Sequence, residues 1–190
     1  MVRAMCLPAR LLSAACLALA GGLAFAADAW TELARPGAVV LFRHATAPGV
    51  GDPPNFRLDD CATQRNLDEQ GRAEARRLGE QFRRRDVNVG AVLSSQWCRT
   101  RETARLAFGD RVRDEPAFNS FFGQAAPQRE EQTERARRVI RGWKGPGVLV
   151  VVTHQVNITA LTGHGATSAE GVVVQAADEG PLRLLATLQP

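Results

Sequence analysis

The sequence predicts an α/β fold, a three-layer sandwich in which helices cover both faces of a mainly parallel central sheet. Three segments, at 38–42, 90–95 and 148–154, have the composition and length of strands. The first is a continuous apolar run, as expected of a strand buried on both faces, and the last is the most hydrophobic. Segments with helical periodicity separate these runs. Strands that alternate with helices in this way are typical of a parallel sheet with helices on both sides.

Turn residues and hydrophobic periodicity place the elements along the chain. In order, they are a helical turn at 30–37, a strand at 38–42, a loop at 45–66, a helix at 66–86, a strand at 90–95, a helix at 96–108, a short strand at 111–115, a loop at 118–127, a helix at 128–143, a strand at 148–154, a helix at 155–163 and an antiparallel pair at 171–177 and 182–188. Asn66, with Glu69 three residues later, predicts the cap of the first long helix, and Ser95 predicts that of the next. The loop at 45–66 is long, and such loops often carry function.

Residues 1–26 have the pattern of a secretory signal peptide. Arg3 and Arg10 flank the start of an apolar stretch of small residues, and Ala24-Phe25-Ala26 forms an Ala-x-Ala cleavage site. An uncleaved membrane anchor is the alternative, but the stretch is short for a span and contains two adjacent glycines. We therefore expect an exported protein of the bacterial periplasm, with one mature domain at 27–190 and no stable membrane insertion after cleavage.

Loss of the signal peptide lowers the net charge from +4 to +2 and the number of cysteines from four to two. This near balance of charge argues against a nucleic-acid partner. In an oxidising compartment, Cys61 and Cys98 are expected to form a disulfide, with two buried thiols or a redox site as the alternatives. The chain has no C-x-x-C pair and its three histidines are scattered, so neither a metal nor another cofactor is predicted.

Charged and nucleophilic side chains follow the ends of three predicted strands. Arg43 and His44 follow the first apolar run, Arg99 lies just after the second, and His154 ends the third. Ligands of parallel sheets bind outside the carboxyl ends of the strands, so these side chains are expected to meet at one rim. Clustered positive charge and an in-line nucleophile are what phosphoryl transfer requires. Arginine binds phosphate oxygens through paired hydrogen bonds and neutral imidazole is a good nucleophile, so the pattern predicts phosphoryl transfer to His44.

Four motifs in order resemble those of the histidine phosphatase superfamily, the group that includes cofactor-dependent phosphoglycerate mutases and phosphohistidine phosphatases. They are Arg43-His44-Ala45 after a buried strand, NLDEQGRAEA, SSQWCRTRETA and VVVTHQVNITALTG. The resemblance covers residues 38–165 and implies a phosphoglycerate mutase-like fold, a phosphohistidine intermediate on His44, and a phosphate pocket made by Arg43, Arg99 and His154. It also implies that Arg65 and Asn66 belong to the wall of the site as further substrate-binding candidates. The chemistry it implies needs no metal.

The proton donor for the leaving group is where the sequence departs from the family pattern. A leaving alkoxide needs a general acid. One branch of the family supplies a glutamate after the third strand, where this chain has AFNSFF at 117–122, and another places an acid directly after the second histidine, where this chain has Gln155. Glu115 is the acid nearest to the first of these positions. The other candidates are loop carboxylates: Asp52, Asp59, Asp60 and Glu170.

Three functions are compatible with these residues. An exported phosphatase that acts on a small phosphorylated substrate through His44 accounts for most of them. A non-catalytic periplasmic module that binds a phosphorylated ligand in the same Arg/His pocket accounts for the missing acid, although it would not need His44. A thiol redox protein would use Cys61 and Cys98 as a reducible pair, but the spacing typical of such a pair is absent.

Overall fold

Within residues 28–177 and 180–190, which the computed structural model describes, the chain forms six strands and five α-helices. The predicted signal peptide, 1–26, lies outside the described residues. The strands are β1 (Val39–Arg43), β2 (Val89–Ser94), β3 (Val112–Asp114), β4 (Val148–Thr153), β5 (Gly171–Gln175) and β6 (Arg183–Leu188). The helices are α1 (Ala29–Leu33), α2 (Glu69–Arg84), α3 (Cys98–Phe108), α4 (Ala126–Arg141) and α5 (Gln155–Thr162).

The six strands form one sheet in the order β3-β2-β4-β1-β5-β6. Strands β3, β2, β4 and β1 are parallel, whereas β5 and β6 are antiparallel to their neighbours. In the centre, Leu41 of β1 lies between Val151 of β4 and Val172 of β5. The prediction of a mainly parallel sheet with a closing antiparallel pair is therefore confirmed.

Both faces of the sheet are buried, which is why β1 and β4 have continuous apolar sequences. On one face, Val40, Phe42 and Val150 pack against α1, α2 and α3, with Leu78 and Phe82 from α2. The opposite face uses the alternate strand positions and packs against α4 and α5; its members include Val39, Leu41, Leu149, Val151, Ile140 and Ile158. Each such side chain contributes about 1.5–3 kcal/mol on burial. The result is the predicted three-layer sandwich.

Two helix caps differ from the sequence prediction. The N-cap of α2 is Asp68, which accepts a hydrogen bond from the backbone N of Gly71 at 2.8 Å. Asn66 does not cap the helix because its side-chain amide donates to the carbonyls of Cys61 and Gln64 within the loop. The N-cap of α3 is Trp97, without a side-chain cap, whereas the Ser95 hydroxyl lies 2.8 Å from His154 Nε2. Both predicted capping residues are thus engaged elsewhere.

None of the helices in the described part of the chain combines the length and the apolar character needed to cross a membrane.

Helix α2 packs directly onto the segment that follows β1. A Cβ atom at Gly71 would lie 2.1 Å from the carbonyl oxygen of Thr46, so this approach requires glycine. One turn further along α2, Glu74 accepts hydrogen bonds from the Thr46 backbone N at 2.9 Å and from its Oγ1 at 3.0 Å. These contacts fix the backbone two residues beyond His44.

Replacing Gly71 with alanine tests this close approach. In a free helix interior the change stabilises by roughly 0.5–1 kcal/mol, but here the new methyl group overlaps a backbone carbonyl. We expect Gly71→Ala to lower the free energy of unfolding by about 1–3 kcal/mol, measured by urea denaturation followed by circular dichroism.

Gly165→Ala is the control, because its Cβ would meet only the Gln155 side chain, at 3.9 Å. The control should change stability by no more than ~0.5 kcal/mol. A Gly71→Ala protein that is more stable than the wild type would show that α2 does not contact Thr46 in this way.

Candidate active site

Three strand ends bring the predicted residues to one cavity of about 470 Å³. Arg43, His44, Arg65, Arg99 and His154 all line it. Because β4 lies between β2 and β1, the residues that follow these three strands become neighbours at the carboxyl edge of the sheet. The cavity therefore combines three guanidinium groups with two imidazoles.

His44 is held as a neutral imidazole with one ring nitrogen free. Its Nδ1 lies 2.7 Å from the carbonyl oxygen of Ala45. A carbonyl only accepts hydrogen bonds, so Nδ1 carries the proton and Nε2 carries a lone pair. Nε2 has no hydrogen-bond partner among the described residues, which leaves this lone pair available to a ligand in the cavity.

The electrostatic environment keeps His44 uncharged. Its pKa is lowered to about 3, first by burial and then by the positive charges of the three cavity arginines, and only the bond to Ala45 acts in the opposite direction. The pKa of His154 also lies well below its ordinary value, because of burial first and then the neighbouring His44 and arginines. Both imidazoles are therefore neutral at neutral pH, as a nucleophile must be.

His154 lies beside His44 and is oriented by a serine. The centroids of the two imidazole rings are 5.6 Å apart. The Ser95 hydroxyl is 2.8 Å from His154 Nε2, and Ser95 Oγ accepts the backbone N–H of Trp97 at 3.3 Å. Ser95 Oγ also lies 3.4 Å from Asn119 Oδ1, so its proton has two acceptors within reach. The contact with Nε2 is the shorter one, and a Ser95 hydroxyl that donates there leaves the ring proton of His154 on Nδ1.

Arg43 and Arg99 each keep an unpaired donor in this buried environment. Arg43 Nη1 donates to the carbonyl of Ala166 at 3.0 Å, and Arg99 donates from Nη1 and Nη2 to the carboxylate of Asp52 at 2.7 and 3.1 Å. The Nε atoms of both arginines are buried and have no hydrogen-bond partner among the described residues. An oxyanion would satisfy such donors, because buried polar groups are costly to leave unpaired.

The sequence profile of the histidine phosphatase superfamily (branch 1) matches residues 39–144. The chain belongs to this superfamily. No curated protein sequence matches the chain. The profile match ends before His154 and does not bear on that residue; its position beside His44 comes from the structure.

Three solved structures described as phosphatases have the same fold at low sequence identity. The protein histidine phosphatase SixA, in complex with tungstate, is 15% identical over 80% of this chain and 96% of that chain, with a TM-score of 0.52. A mycobacterial glucosyl-3-phosphoglycerate phosphatase in complex with VO3 is 19% identical over 77% and 95% of the two chains, with a TM-score of 0.52. Phosphoserine phosphatase from Entamoeba histolytica, with 3-phosphoglyceric acid, is 12% identical over 80% and 97%, with a TM-score of 0.57. These likenesses confirm the predicted phosphoglycerate mutase-like fold.

The structure separates the remaining candidate residues of the site. Arg65 lines the cavity, but its Nε donates to the Gly51 carbonyl at 2.8 Å and its Nη1 donates to Ala47, so it also ties the loop together. Asn66 is not part of the cavity lining and bonds within the loop instead. Glu115 is also outside it: its carboxylate accepts from the backbone N of Ala117 at 3.1 Å, and it lines a different depression. The structure therefore does not bring the predicted proton donor to the nucleophile.

Asp52 and Trp97 are cavity residues whose importance the sequence did not reveal. Asp52 was one of several loop acids, and it is the only acid among the described residues that line the cavity. The Trp97 Nε1 donates to Asp52 at 2.9 Å, and its ring lies 5.3 Å from that of His154. No local pattern pairs these residues, because they lie in a loop and in a helix start 45 positions apart.

The cavity adjoins a larger cleft of about 960 Å³ between α4 and α5. Phe122, Gln155 and Val156 line both spaces, and Phe122 is 63% exposed between them. A phosphoryl group bound at His44 would therefore have room beside it for a substantial leaving group.

The predicted disulfide between Cys61 and Cys98 is confirmed in the structure, with a Cα–Cα distance of 5.7 Å. It joins the 45–66 loop to the first turn of α3, directly before Arg99. Next to it, the Gln64 side-chain oxygen accepts the backbone N–H of Cys98 at 2.9 Å. The wall of the cavity is thus tied to the helix that carries Arg99.

The burial of a neutral His44 predicts a pH dependence of stability. Between an ordinary pKa near 6.5 in the unfolded chain and about 3 in the folded one, the unfolded state binds a proton that the native state does not. Stability should therefore fall as the pH falls below 6.5, by about 1.4 kcal/mol per pH unit from this group. In His44→Asn this contribution is absent. The free energy of unfolding, measured with urea, should therefore fall less between pH 6 and pH 4 in this variant than in the wild type. Parallel pH profiles for the two proteins would contradict the depressed pKa.

Removal of the disulfide should destabilise the domain. The bond closes a segment with a sequence separation of 37, for which chain entropy predicts a contribution of roughly 3–4 kcal/mol. We expect Cys61→Ser/Cys98→Ser to lose about this much free energy of unfolding, and a reducing agent to do the same to the wild type. The reducing agent should leave the double variant unchanged, which controls for other effects. Equal stability of the oxidised and reduced wild type would show that the bond does not constrain the loop.

Proposed function

We propose that the protein is an exported phosphatase that hydrolyses a phosphomonoester or a related phosphoryl compound through a phosphohistidine intermediate on His44. Membership of the histidine phosphatase superfamily supports a phosphatase function. The observation that carries the proposal is the state of His44: Nδ1 is engaged by Ala45, and the free Nε2 shares a cavity with Arg43 and Arg99.

In the first step, Arg43 and Arg99 bind the phosphoryl oxygens and hold the phosphorus in line with His44 Nε2. The Nε2 lone pair forms the P–N bond, and the bond from phosphorus to the leaving group breaks, with its electron pair going to the leaving group. Nδ1 keeps its proton, and its hydrogen bond to Ala45 stabilises the positive charge that develops on the ring. In the tautomer whose Nε2 accepts the Ser95 hydroxyl, the N–H on Nδ1 of His154 is a further donor for the phosphoryl oxygens.

In the second step, a water molecule attacks phosphorus and the P–N bond breaks, which returns the electron pair to His44. Both protons of the water stay with the product, which leaves as dihydrogen phosphate. The arginines remain paired with the oxygens in both steps. The positive charge that the reaction needs comes from side chains of the chain itself, so we propose that it proceeds without a metal ion.

The leaving group in this proposal departs without a proton from a cavity carboxylic acid. Burial alone would raise the pKa of Asp52, but hydrogen bonding and the charge of Arg99 outweigh it and hold the pKa below its ordinary value. Asp52 is therefore ionised and cannot act as the acid. Substrates whose leaving group is stable as it departs, such as an acyl phosphate, an anhydride, a phosphohistidine or an aryl phosphate, suit this site best.

The same lack of an available acid favours one alternative, a non-catalytic periplasmic module that binds a phosphorylated ligand in the Arg/His pocket. Such a module would use Arg43 and Arg99 as described but would have no need of a neutral histidine with a free Nε2. Turnover by the wild type separates the two functions.

Export is part of the proposal and rests on two observations. Residues 1–26 have the composition of a signal peptide, and Cys61–Cys98 is a disulfide of the kind that persists in oxidising compartments. We propose that the mature protein begins at residue 27 and acts in the bacterial periplasm on a small phosphorylated substrate.

An assay of phosphate release tests whether His44 is the nucleophile. It uses residues 27–190, an aryl phosphate as substrate and a metal chelator. An aryl leaving group needs no proton, so the lack of a general acid should not hide activity. We expect His44→Ala to lower kcat by at least roughly 1,000-fold, because the attacking atom is removed.

His164→Ala is the matched control, since His164 binds Glu170 and is not part of the cavity lining. It should keep activity close to that of the wild type. If the wild type releases no phosphate but binds vanadate, and Arg99→Ala abolishes that binding, the binding-module function replaces the phosphatase.

A further inference from the structure

We infer that Asp52 is a positioning residue, which fixes the Arg99 guanidinium so that its Nε–Nη2 edge receives the phosphoryl group. The inference rests on the proposed function of the cavity and assigns a role to a carboxylate that the reaction steps do not use.

The Asp52 carboxylate accepts four hydrogen bonds. Oδ1 accepts from Arg99 Nη1 at 2.7 Å and from the backbone N of Arg65 at 3.1 Å. Oδ2 accepts from Arg99 Nη2 at 3.1 Å and from Trp97 Nε1 at 2.9 Å. The side chains of Arg99 and Asp52 are only 3% and 9% exposed, so the pair is shielded from solvent.

Two of the four donors do not come from Arg99, and this decides between two roles for Asp52. A carboxylate held only by Arg99 could be displaced by a phosphate, which would make Asp52 a competitor for the arginine. Here Trp97 and the Arg65 backbone hold it independently of Arg99, so it stays in place when a second anion binds. Asp52 is therefore a fixed partner of Arg99 rather than an occupant of the phosphate position.

The donors of Arg99 are divided between the protein and the cavity. A guanidinium has five N–H groups. Nη1 uses both of its own, on Asp52 and on the Arg65 carbonyl at 3.2 Å, and Nη2 uses one on Asp52. The N–H of Nε and the second N–H of Nη2 remain, and Nε has no partner among the described residues. These two groups point the same way from one edge of the planar group, which matches two oxygens of a phosphate.

The charge of Asp52 gives this role a kinetic signature. Its negative charge lies beside the anion site, so by itself it weakens attraction of a phosphate ground state. Asp52 must then favour the reaction by stabilising the transition state, because the rate falls steeply when a charge-stabilising group is misplaced there. Loss of Asp52 should consequently lower kcat while leaving ground-state binding intact or tighter.

Asp52→Asn provides the test, because it keeps the shape of the side chain and removes the charge and two of its acceptor positions. With an aryl phosphate we expect kcat to fall by about 10- to 100-fold, KM to stay within about threefold, and inhibition by inorganic phosphate to be unchanged or stronger. Asp59→Asn removes the same charge from an exposed position of the same loop, and it should match the wild type in kcat, KM and phosphate inhibition.

Each contrary result overturns a distinct statement. In Asp52→Asn, an unchanged or raised kcat with an unchanged or lowered KM would make Asp52 a competitor of the substrate. A normal kcat with a raised KM would make it a wall of the binding site. If the wild type itself has no turnover, the proposed function fails, and ligand affinity then tests the role of Asp52. The inference requires that Asp52→Asn weaken the binding of vanadate more than the binding of inorganic phosphate. Equal effects on the two affinities would overturn it. If Asp52→Asn does not fold, Trp97→Phe removes one of the four donors and should lower kcat several-fold at constant KM; a normal kcat would contradict the inference.

Discussion

The parallel pairing of β1 with β4 is the contact on which the site depends. Arg43 lies opposite Thr153 in this register, and the backbone N of His44 donates to the Thr153 carbonyl at 2.9 Å. The two residues that follow the paired strands, His44 and His154, are therefore adjacent, although they are far apart in the chain. Close packing of both faces of these strands against helices holds the register, because a shift of one residue would move every side chain into the packing of the opposite face. The hydrophobic core thus sets the distance between the two imidazoles.

The 45–66 loop is the second constraint. A small apolar cluster buries Ala45 and Ala47 at its start, and side-chain contacts hold it at several further points. Its start is fixed by Glu74 of α2, its middle by Asp52 on Arg99, and its end by the disulfide to α3. Two of these ties reach α3, the helix that carries Arg99, and the third holds Thr46, two residues after His44. A loop anchored in this way can form one wall of a site with fixed geometry, although it contains little regular structure.

The electrostatics of the cavity follow from desolvating three arginines around two imidazoles. Burial lowers the pKa of Arg43 and of Arg65, which shows that their surroundings penalise unpaired positive charge. The neutral histidines add no positive charge, and the negative charge of Asp52 compensates that of one guanidinium. The remaining positive charge is directed at a small volume, where an anion with several oxygens satisfies the unpaired donors. Such a cavity stabilises charge at a fixed place without reorganising, which is the main requirement of phosphoryl transfer.

The sequence by itself determined the α/β class, the strand ends that carry Arg43, His44, Arg99 and His154, and the pair of cysteines, because each depends on a short pattern or on composition. It did not determine the caps or the proton donor: Asn66 bonds within its loop, and Glu115 caps a turn outside the cavity. The partnership of Asp52 with Arg99 was equally hidden, since the two residues are 47 positions apart and the loop that brings them together has no periodicity. Only the tertiary structure decided these points, because the path of an irregular loop is fixed by contacts with distant elements and not by its own sequence.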